Sequence, residues 1–222
     1  MALAEDDADI RGDAIVERPR RVRTHPLLSE IYEYHDELIA DFLPGGDALE
    51  IAFGQYLHPQ ADIGLEAWPS NAYETESTAV VGDARSLPFA ANSFAAVIGR
   101  RFLHHVPESG RVDILREARR VVEPGGRIIL LEGTPGYYRK VMKGIAFRVG
   151  LLGEDSDIYG HLSSDELYEA VNSTSDVVHR RSLGSPLMPA SISESRVSRY
   201  IFPLYRRTQF VQWWTLVVGE VT

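Results

Sequence analysis

The chain has 222 residues, of which 44% are hydrophobic and 25% are charged, and it contains no cysteine. A chain of this length is expected to form one domain with its own hydrophobic core. The lack of cysteine excludes disulfides, Cys-ligated metal centres and thiol catalysis. The 32 acidic residues outnumber the 23 Lys and Arg residues, which argues against binding nucleic acid through its phosphates.

Residues 1–24 pass from an acidic cluster to an arginine-rich one without hydrophobic periodicity, so we expect a flexible tail there. Residues 25–222 are expected to form a single domain. No hydrophobic run approaches the roughly 20 residues of a membrane span, and the acidic N-terminus shows no targeting segment. We therefore expect a cytoplasmic protein without an integral membrane segment; its oligomeric state is left open.

The first part of the chain alternates between helical and strand patterns. Helical spacing covers residues 26–43 and 111–122, and short strands are predicted at 48–52, 62–66, 79–81, 94–98 and 127–131. The first two strands lie too close in sequence for a long helix between them, and His58-Pro59 interrupts that segment. Short apolar strands interleaved with helices predict an α/β fold with a parallel sheet.

The second part of the chain is less regular. A helix is predicted over residues 137–152, and Ser163 and Glu166 have the spacing of a capping box that starts another helix. Strands are predicted at 177–183 and 211–219, joined by a long connection over 184–208. We expect these two strands to form an antiparallel hairpin that closes one edge of the sheet.

Acidic residues follow three successive predicted strands. Glu50, Glu66 and Asp83 stand at the carboxyl ends, where open α/β sheets bind ligands. Glu50 and Glu66 can accept hydrogen bonds from ribose hydroxyls, and Asp83 can accept one from an exocyclic amine, which suits an adenosine ligand. Gly54 would let the backbone approach that ligand closely. Any one of these acids is as readily a solvated residue, but three at successive strand ends favour a ligand site.

Three motifs carry a family resemblance: GDARSLPF at residues 82–89, FLHHVP at 102–107 and LREARRVVEPGGR at 115–127. Together they resemble class I S-adenosylmethionine-dependent methyltransferases, in particular UbiE-type enzymes that act on small molecules. The resemblance covers roughly residues 43–132. It implies a Rossmann-like seven-stranded sheet, mostly parallel with an antiparallel last strand and helices on both faces, and S-adenosyl-L-methionine as cofactor. Residues 133–208 would then supply substrate and lid elements.

The resemblance also implies a set of cofactor-binding residues around the strand ends. They are Glu50, Ala52, Gly54, Glu66, Asp83, Ala84 and Arg100, the last through its backbone. The first turn departs from the family pattern of acid-x-Gly-x-Gly-x-Gly, because only its middle glycine is present. Ala95 stands where the family usually has an aspartate.

Three residues are candidates for a catalytic role in methyl transfer: His105, Glu132 and His161. His104 is expected to pack against the sheet, and no metal site is expected. Arg100 and Arg101 either face solvent or place an arginine near an anionic substrate.

The leading hypothesis is a methyltransferase that transfers a methyl group in line to a small-molecule acceptor. The first alternative is an inactive methyltransferase-like protein that binds a ligand or partner. A dinucleotide-dependent oxidoreductase is a third, although the chain lacks a Gly-x-Gly-x-x-Gly turn.

Overall fold

The fold is taken from a computed structural model that describes residues 26–54, 56–73, 78–135, 161–184, 200, 203 and 212–222. The helices are α1 (Pro26–Ala40), α2 (Pro69–Tyr73), α3 (Glu108–Val121) and α4 (Ser164–Asn172), with a 3-10 turn at Leu103–His105. The strands are β1 (Ala48–Ile51), β2 (Ile63–Glu66), β3 (Ala79–Val81), β4 (Phe94–Arg100), β5 (Val122–Gly133), β6 (Asp176–Gly184) and β7 (Gln212–Glu220).

The strands form one sheet in the order β3-β2-β1-β4-β5-β7-β6. Neighbouring strands from β3 to β5 pair in parallel, whereas β7 pairs antiparallel with both β5 and β6. This confirms the predicted seven-stranded sheet with an antiparallel last strand. It also confirms the predicted hairpin, in which β6 forms one edge of the sheet.

Helices cover both faces of the sheet, because the strands bury apolar residues on both sides. On one face, α3 and α4 pack against alternate residues of β4 and β5 such as Val97 and Leu130. On the other face, Leu38 and Ile39 of α1 pack against the intervening residues, among them Ile98. Because β1 to β5 run parallel, their carboxyl ends lie at the same edge of the sheet. Helices cover both faces of the sheet.

Two details differ from the predicted elements. The helix α3 begins at Glu108 rather than at residue 111, and β5 begins directly after it instead of at residue 127. The reason for the second difference is that the Pro-Gly-Gly segment, predicted to end the helix, lies within β5 and bonds to the end of the chain. Gly125 donates its N–H to Val221 over 2.7 Å, and Gly126 accepts from Val221 over 2.9 Å.

The spacing predicted that no long helix fits between β1 and β2, and the described residues there contain no helix. His58 fixes this loop: its Nε2 is 3.2 Å from the carbonyl oxygen of Asp36 in α1, and its Nδ1 accepts from Gln60 N–H over 3.1 Å. His58 is buried. Burial is the main cause that lowers the pKa of its imidazole, and the positive charge of Arg100 lowers that pKa further. A neutral histidine thus ties the loop to α1.

The predicted capping box is present, since Ser163 and Glu166 exchange side chain-to-backbone hydrogen bonds at the start of α4. The predicted tail at 1–24, the helix at 137–152 and most of the connection at 184–208 lie outside the described residues. Within the described ranges, none of the helices combines the length and hydropathy needed to span a bilayer.

Candidate functional site

The sequence-predicted site residues gather at the carboxyl edge of the sheet. Because β2, β1, β4 and β5 are adjacent and parallel, the ends of these strands bring Glu66, Glu50, Arg100 and Glu132 into one row. Open α/β sheets bind ligands at this edge. The side chains in the row differ sharply in what they contact.

Arg100 lies at the centre of a buried ionic cluster. Its Nε donates to Glu50 over 2.6 Å, its Nη1 bonds to Asp36 of α1, and its Nη2 donates to the carbonyl oxygen of Tyr56 over 2.8 Å. Glu50 is fully buried and also accepts the N–H of His58 over 2.6 Å. The carboxylate of Glu50 therefore holds the first turn and its loop in place through internal donors.

The first turn, described at residues 51–54 and 56, bends through two left-handed residues. Ala52 has a φ of 53° and Gly54 a φ of 66°. Ala52 donates its N–H to Leu65 over 2.7 Å, which keeps the turn against β2. A Cβ at Gly54 would meet nothing within 4 Å, so the backbone at this point borders open space.

Glu66 closes the same turn from the end of β2. Its Oε2 accepts from Gly54 N–H over 2.8 Å, and its Oε1 accepts from the N–H groups of Ala67 and Trp68 over 2.9 and 3.2 Å. Burial raises the pKa of Glu66, while these backbone donors lower it. The acid that was predicted to bind the ligand thus lies beside Gly54 and already orders the backbone around it.

Asp83 is the exposed member of the set, with half of its side-chain surface accessible. Arg85 donates to both of its oxygens, and Nη2 lies 2.6 Å from Oδ2. The hydrogen bonds from Arg85 lower the pKa of Asp83. The neighbouring Ala84 packs partly buried against the core. Asp83 is therefore an ionised acceptor that solvent or a ligand can reach.

Glu132 lies fully buried at the end of β5. Its Oε1 accepts the N–H groups of Phe102 and Leu103 over 2.7 and 2.8 Å, and its Oε2 lies 3.1 Å from Nδ1 of His104. This carboxylate fixes the turn after β4 and the orientation of one imidazole ring. A carboxylate behind Nδ1 favours the tautomer in which Nε2 can accept a proton.

The other two predicted histidines contact His104. The ring centroids of His104 and His105 are 3.9 Å apart, and those of His104 and His161 are 4.9 Å apart. His161 also lies against Gly133, where a Cβ would come within 3.3 Å of its Nδ1. The structure thus brings the three predicted catalytic residues together around His104.

Two central residues of this site were not among the predicted site residues. His104 was expected to pack against the sheet and is buried, but its Nδ1 also lies 3.1 Å from Glu132, a contact that the sequence does not show. Asp36 was not singled out, because it lies in α1 and 64 residues from Arg100. The described residues contain no group of three or more ligands that could hold a metal ion.

The central segment of the chain matches a known family of protein domains. Residues 60–130 match the family model of the methyltransferase domain. The chain is 46% identical over 57 residues to the YafE protein of Escherichia coli, covering 25% of this chain and 27% of that protein. It is 36% identical over 95 residues to the ubiquinone/menaquinone biosynthesis C-methyltransferase UbiE of Desulfotalea psychrophila, covering 39% and 38%. The matches thus span well under half of these relatives.

Solved structures resemble the whole fold. A methyltransferase of Thermotoga maritima, described as a possible histamine N-methyltransferase, superposes with a TM-score of 0.66 at 17% identity, covering 94% of this chain and 96% of that chain. The geranyl diphosphate C-methyltransferase of Streptomyces coelicolor, solved with S-adenosyl-L-homocysteine, gives 0.59 at 14% identity, covering 88% and 81%. Residues 60–130 thus match a methyltransferase domain model, and the fold as a whole is that of solved methyltransferases.

Proposed function

We propose that this chain binds S-adenosyl-L-methionine at the carboxyl edge of the sheet and transfers its methyl group to a small molecule. The observation that carries the proposal is the pairing of Glu66 with Gly54 across the ends of β2 and β1, next to open space. The domain family and the bound S-adenosyl-L-homocysteine of a structural neighbour support this cofactor. The excess of acidic residues supports a small acceptor rather than a nucleic acid.

The residues at the edge fit the cofactor in chemistry. A carboxylate offers about four lone-pair sites, and Glu66 uses three of them for backbone donors, which leaves one for a ribose hydroxyl. Asp83 would accept from the adenine amine, and the backbone at Ala52, Gly54, Ala84 and Arg100 would border the ligand. Glu50 would act as a positioning residue, because its oxygens hold Arg100 and the loop.

When bound, the cofactor supplies a methyl group attached to a sulfonium, and the remainder of the cofactor leaves as a neutral thioether. The protein then mainly has to align the acceptor and take up a proton where the acceptor carries one. We propose that His104 accepts that proton at Nε2, and that Glu132 stabilises the resulting imidazolium across the 3.1 Å contact to Nδ1. His105 and His161 would flank the ring and shape the acceptor side of the site.

A second candidate is a protein of this fold that binds a ligand without turnover. The favouring observation is that Glu50 and Glu66 are both engaged by internal donors, so part of the usual acceptor capacity is consumed. In that case cofactor binding would survive without methyl transfer. A cytoplasmic location stays a prediction of the sequence.

The test is the formation of S-adenosyl-L-homocysteine in the presence of a panel of phenols, amines and carboxylic acids. The proposal predicts acceptor-dependent product, and His104→Gln lowers kcat about 100-fold or more, in the range for loss of a general base. Glu123→Gln, at an exposed position on β5, is the control and leaves kcat unchanged. Binding without product across the panel would favour the second candidate, and no binding would contradict both.

A further inference from the structure

Arg101, directly after β4, has an unusual backbone and an unusual environment. Its φ of 57° lies in the left-handed region, which a residue with a Cβ rarely adopts. This conformation turns the side chain onto α1, where the guanidinium carbon lies 3.6 Å from the ring centroid of Tyr32. The sequence hypothesis of a solvent-facing arginine pair does not describe this residue, since its Nη1 is buried.

The nearby carboxylates do not pair with Arg101. Glu50 and Asp36 both bond to Arg100 instead. Among the described residues, Nη1 of Arg101 has no hydrogen-bond partner, and the same holds for the buried Nδ1 of His35. Tyr32 and His35 are three residues apart on α1 and therefore share one face of the helix.

Burial determines the charge states of Arg101 and His35. Burial lowers the pKa of His35 well below its ordinary value, and the charge of Arg101 lowers it further. His35 is therefore neutral at physiological pH. Burial also lowers the pKa of Arg101, but a guanidinium stays protonated in proteins. The pair thus carries one positive charge and at least one unmet buried hydrogen-bonding group.

An unpaired buried cation is costly to a fold, so its retention needs a reason. A single anion would accept from Nη1 of Arg101 and, in the tautomer that carries the proton on Nδ1, from His35 as well. A guanidinium matches the planar carboxylate best, because it donates two parallel hydrogen bonds to it. The aromatic rings of Tyr32 and Trp214, the latter with its centroid 5.4 Å from that of His35, suit an apolar body next to that carboxylate.

We propose that Arg101 and His35 form a carboxylate-binding site at the carboxyl edge of the sheet, on the side of α1. Its place in catalysis rests on the proposed function, since the carboxylate would belong to the methyl acceptor or to the amino-acid end of the cofactor. In either case the site fixes one end of a reactant above β4, next to the row of strand-end acids.

The two sources are separated by calorimetric titration of the full chain with four probes. S-adenosyl-L-homocysteine carries the amino-acid end, 5′-methylthioadenosine lacks it, and benzoate is compared with neutral benzamide. Variants are Arg101→Met and His35→Phe, and Arg116→Met, an exposed arginine of α3 that pairs with Asp113, is the matched control.

If the cofactor supplies the carboxylate, Arg101→Met weakens S-adenosyl-L-homocysteine at least tenfold and leaves 5′-methylthioadenosine within twofold. If the acceptor supplies it, both nucleosides stay within twofold, and the wild type binds benzoate at least tenfold more tightly than benzamide. Arg101→Met then abolishes that preference. A folded Arg101→Met protein that matches the wild type for every probe would overturn the proposal.

Thermal unfolding separates this role from a structural one. Arg101→Met removes a buried cation that has no carboxylate partner among the described residues, and methionine can still contact the Tyr32 ring, so Tm in the absence of ligand is expected to stay the same or rise. A lower Tm together with unchanged binding would show that the residue only stabilises the fold, and would overturn the proposal. If benzoate binds and S-adenosyl-L-homocysteine does not, the proposed function fails while the carboxylate site stands.

Discussion

Each of the three buried glutamates at the sheet edge holds a different piece of backbone. Glu50 holds Arg100 and the loop at His58, Glu66 holds the first turn at Gly54, and Glu132 holds the turn after β4. Charge-assisted hydrogen bonds of this kind are about twice as strong as neutral ones. The acids therefore organise the site in addition to any contact with a ligand.

Replacement of Arg100 tests the ionic cluster. Arg100→Met leaves the carboxylates of Glu50 and Asp36 buried without their cation, and breaking a buried pair in this way costs about 3–5 kcal/mol. We expect the free energy of unfolding, measured in urea, to fall by that amount. Arg116→Met at the exposed pair with Asp113 should change it by less than about 1 kcal/mol. Equal losses in the two variants would show that the cluster contributes no more than a surface pair.

The positions of Glu50, Glu66 and Asp83 at the carboxyl edge could be predicted because strand ends are readable from hydrophobic runs. Their hydrogen-bond partners could not. Asp36, in α1, meets Arg100 from 64 residues away, and that contact depends on which face of α1 packs onto the sheet. Apolar spacing predicts that face only roughly. Hence the sequence located the acids without showing that Glu50 is already occupied.

Among the elements, the first turn lacks two of the three glycines of the methyltransferase pattern that it resembles, and contacts with other elements hold it in place. A loop tied down by His58 and Arg100 follows β1, where the fold usually continues into a helix. The turn keeps its left-handed residues even though one of them, Ala52, carries a Cβ. The support comes from contacts with α1 and β2, so it was not visible in the local sequence.

Ala52→Gly tests whether that turn is strained. A left-handed residue with a Cβ costs about 1–2 kcal/mol of stability, which a glycine at that position would recover. Part of this recovery is offset, because glycine raises the entropy of the unfolded chain at a cost of about 0.4–1 kcal/mol. With Ala52 at a φ of 53°, we expect Ala52→Gly to stabilise the protein by up to about 1.6 kcal/mol in urea unfolding. A destabilised Ala52→Gly protein would mean that the methyl group packs well enough to outweigh the backbone strain.

The burial of His35 in α1 makes stability depend on pH. Its pKa is lowered well below 6.5 in the folded state, so the unfolded chain binds the proton first as the pH falls. Stability is therefore fully present above about pH 6.5 and decreases below it, by up to about 1.4 kcal/mol per pH unit.

His35→Phe keeps an aromatic ring beside Trp214 and removes the titrating group. We expect its unfolding free energy to depend less steeply on pH than that of the wild type between pH 7 and pH 5. The remaining slope belongs to other groups, including His58, whose pKa is also lowered by burial. Identical slopes in the two proteins would contradict a neutral His35 in the folded state.

Across the whole molecule, the parallel sheet and the late hairpin could be predicted from the sequence, because apolar strand runs and turn residues are local patterns, whereas the order of the strands could not. The hairpin places β7 between β5 and β6, where it packs against α4. Gly219 in β7 marks this contact: a Cβ there would come within 2.0 Å of Ser175 Oγ and 2.8 Å of Val171 Cγ1. The hairpin thus belongs to the same packed core as the site.

Gly219→Ala should destabilise the whole domain. Forcing a methyl group into a packed contact costs about 1–3 kcal/mol, and we expect a single unfolding transition by circular dichroism at a lower Tm. Gly45→Ala is the control, since a Cβ there would meet nothing within 4 Å. A lower Tm for Gly45→Ala alone, or two transitions in Gly219→Ala, would contradict this description of the packing.

Calorimetric titration with S-adenosyl-L-homocysteine is the decisive measurement of cofactor binding at the sheet edge. A cofactor site there predicts saturable binding of one ligand per chain. It also predicts a loss of about tenfold or more in Asp83→Asn, whose exposed side chain can be changed without disturbing the core. Glu123→Gln, exposed and remote from the strand ends, should bind like the wild type. Folded wild-type protein that shows no binding at millimolar ligand would contradict a cofactor site at the sheet edge.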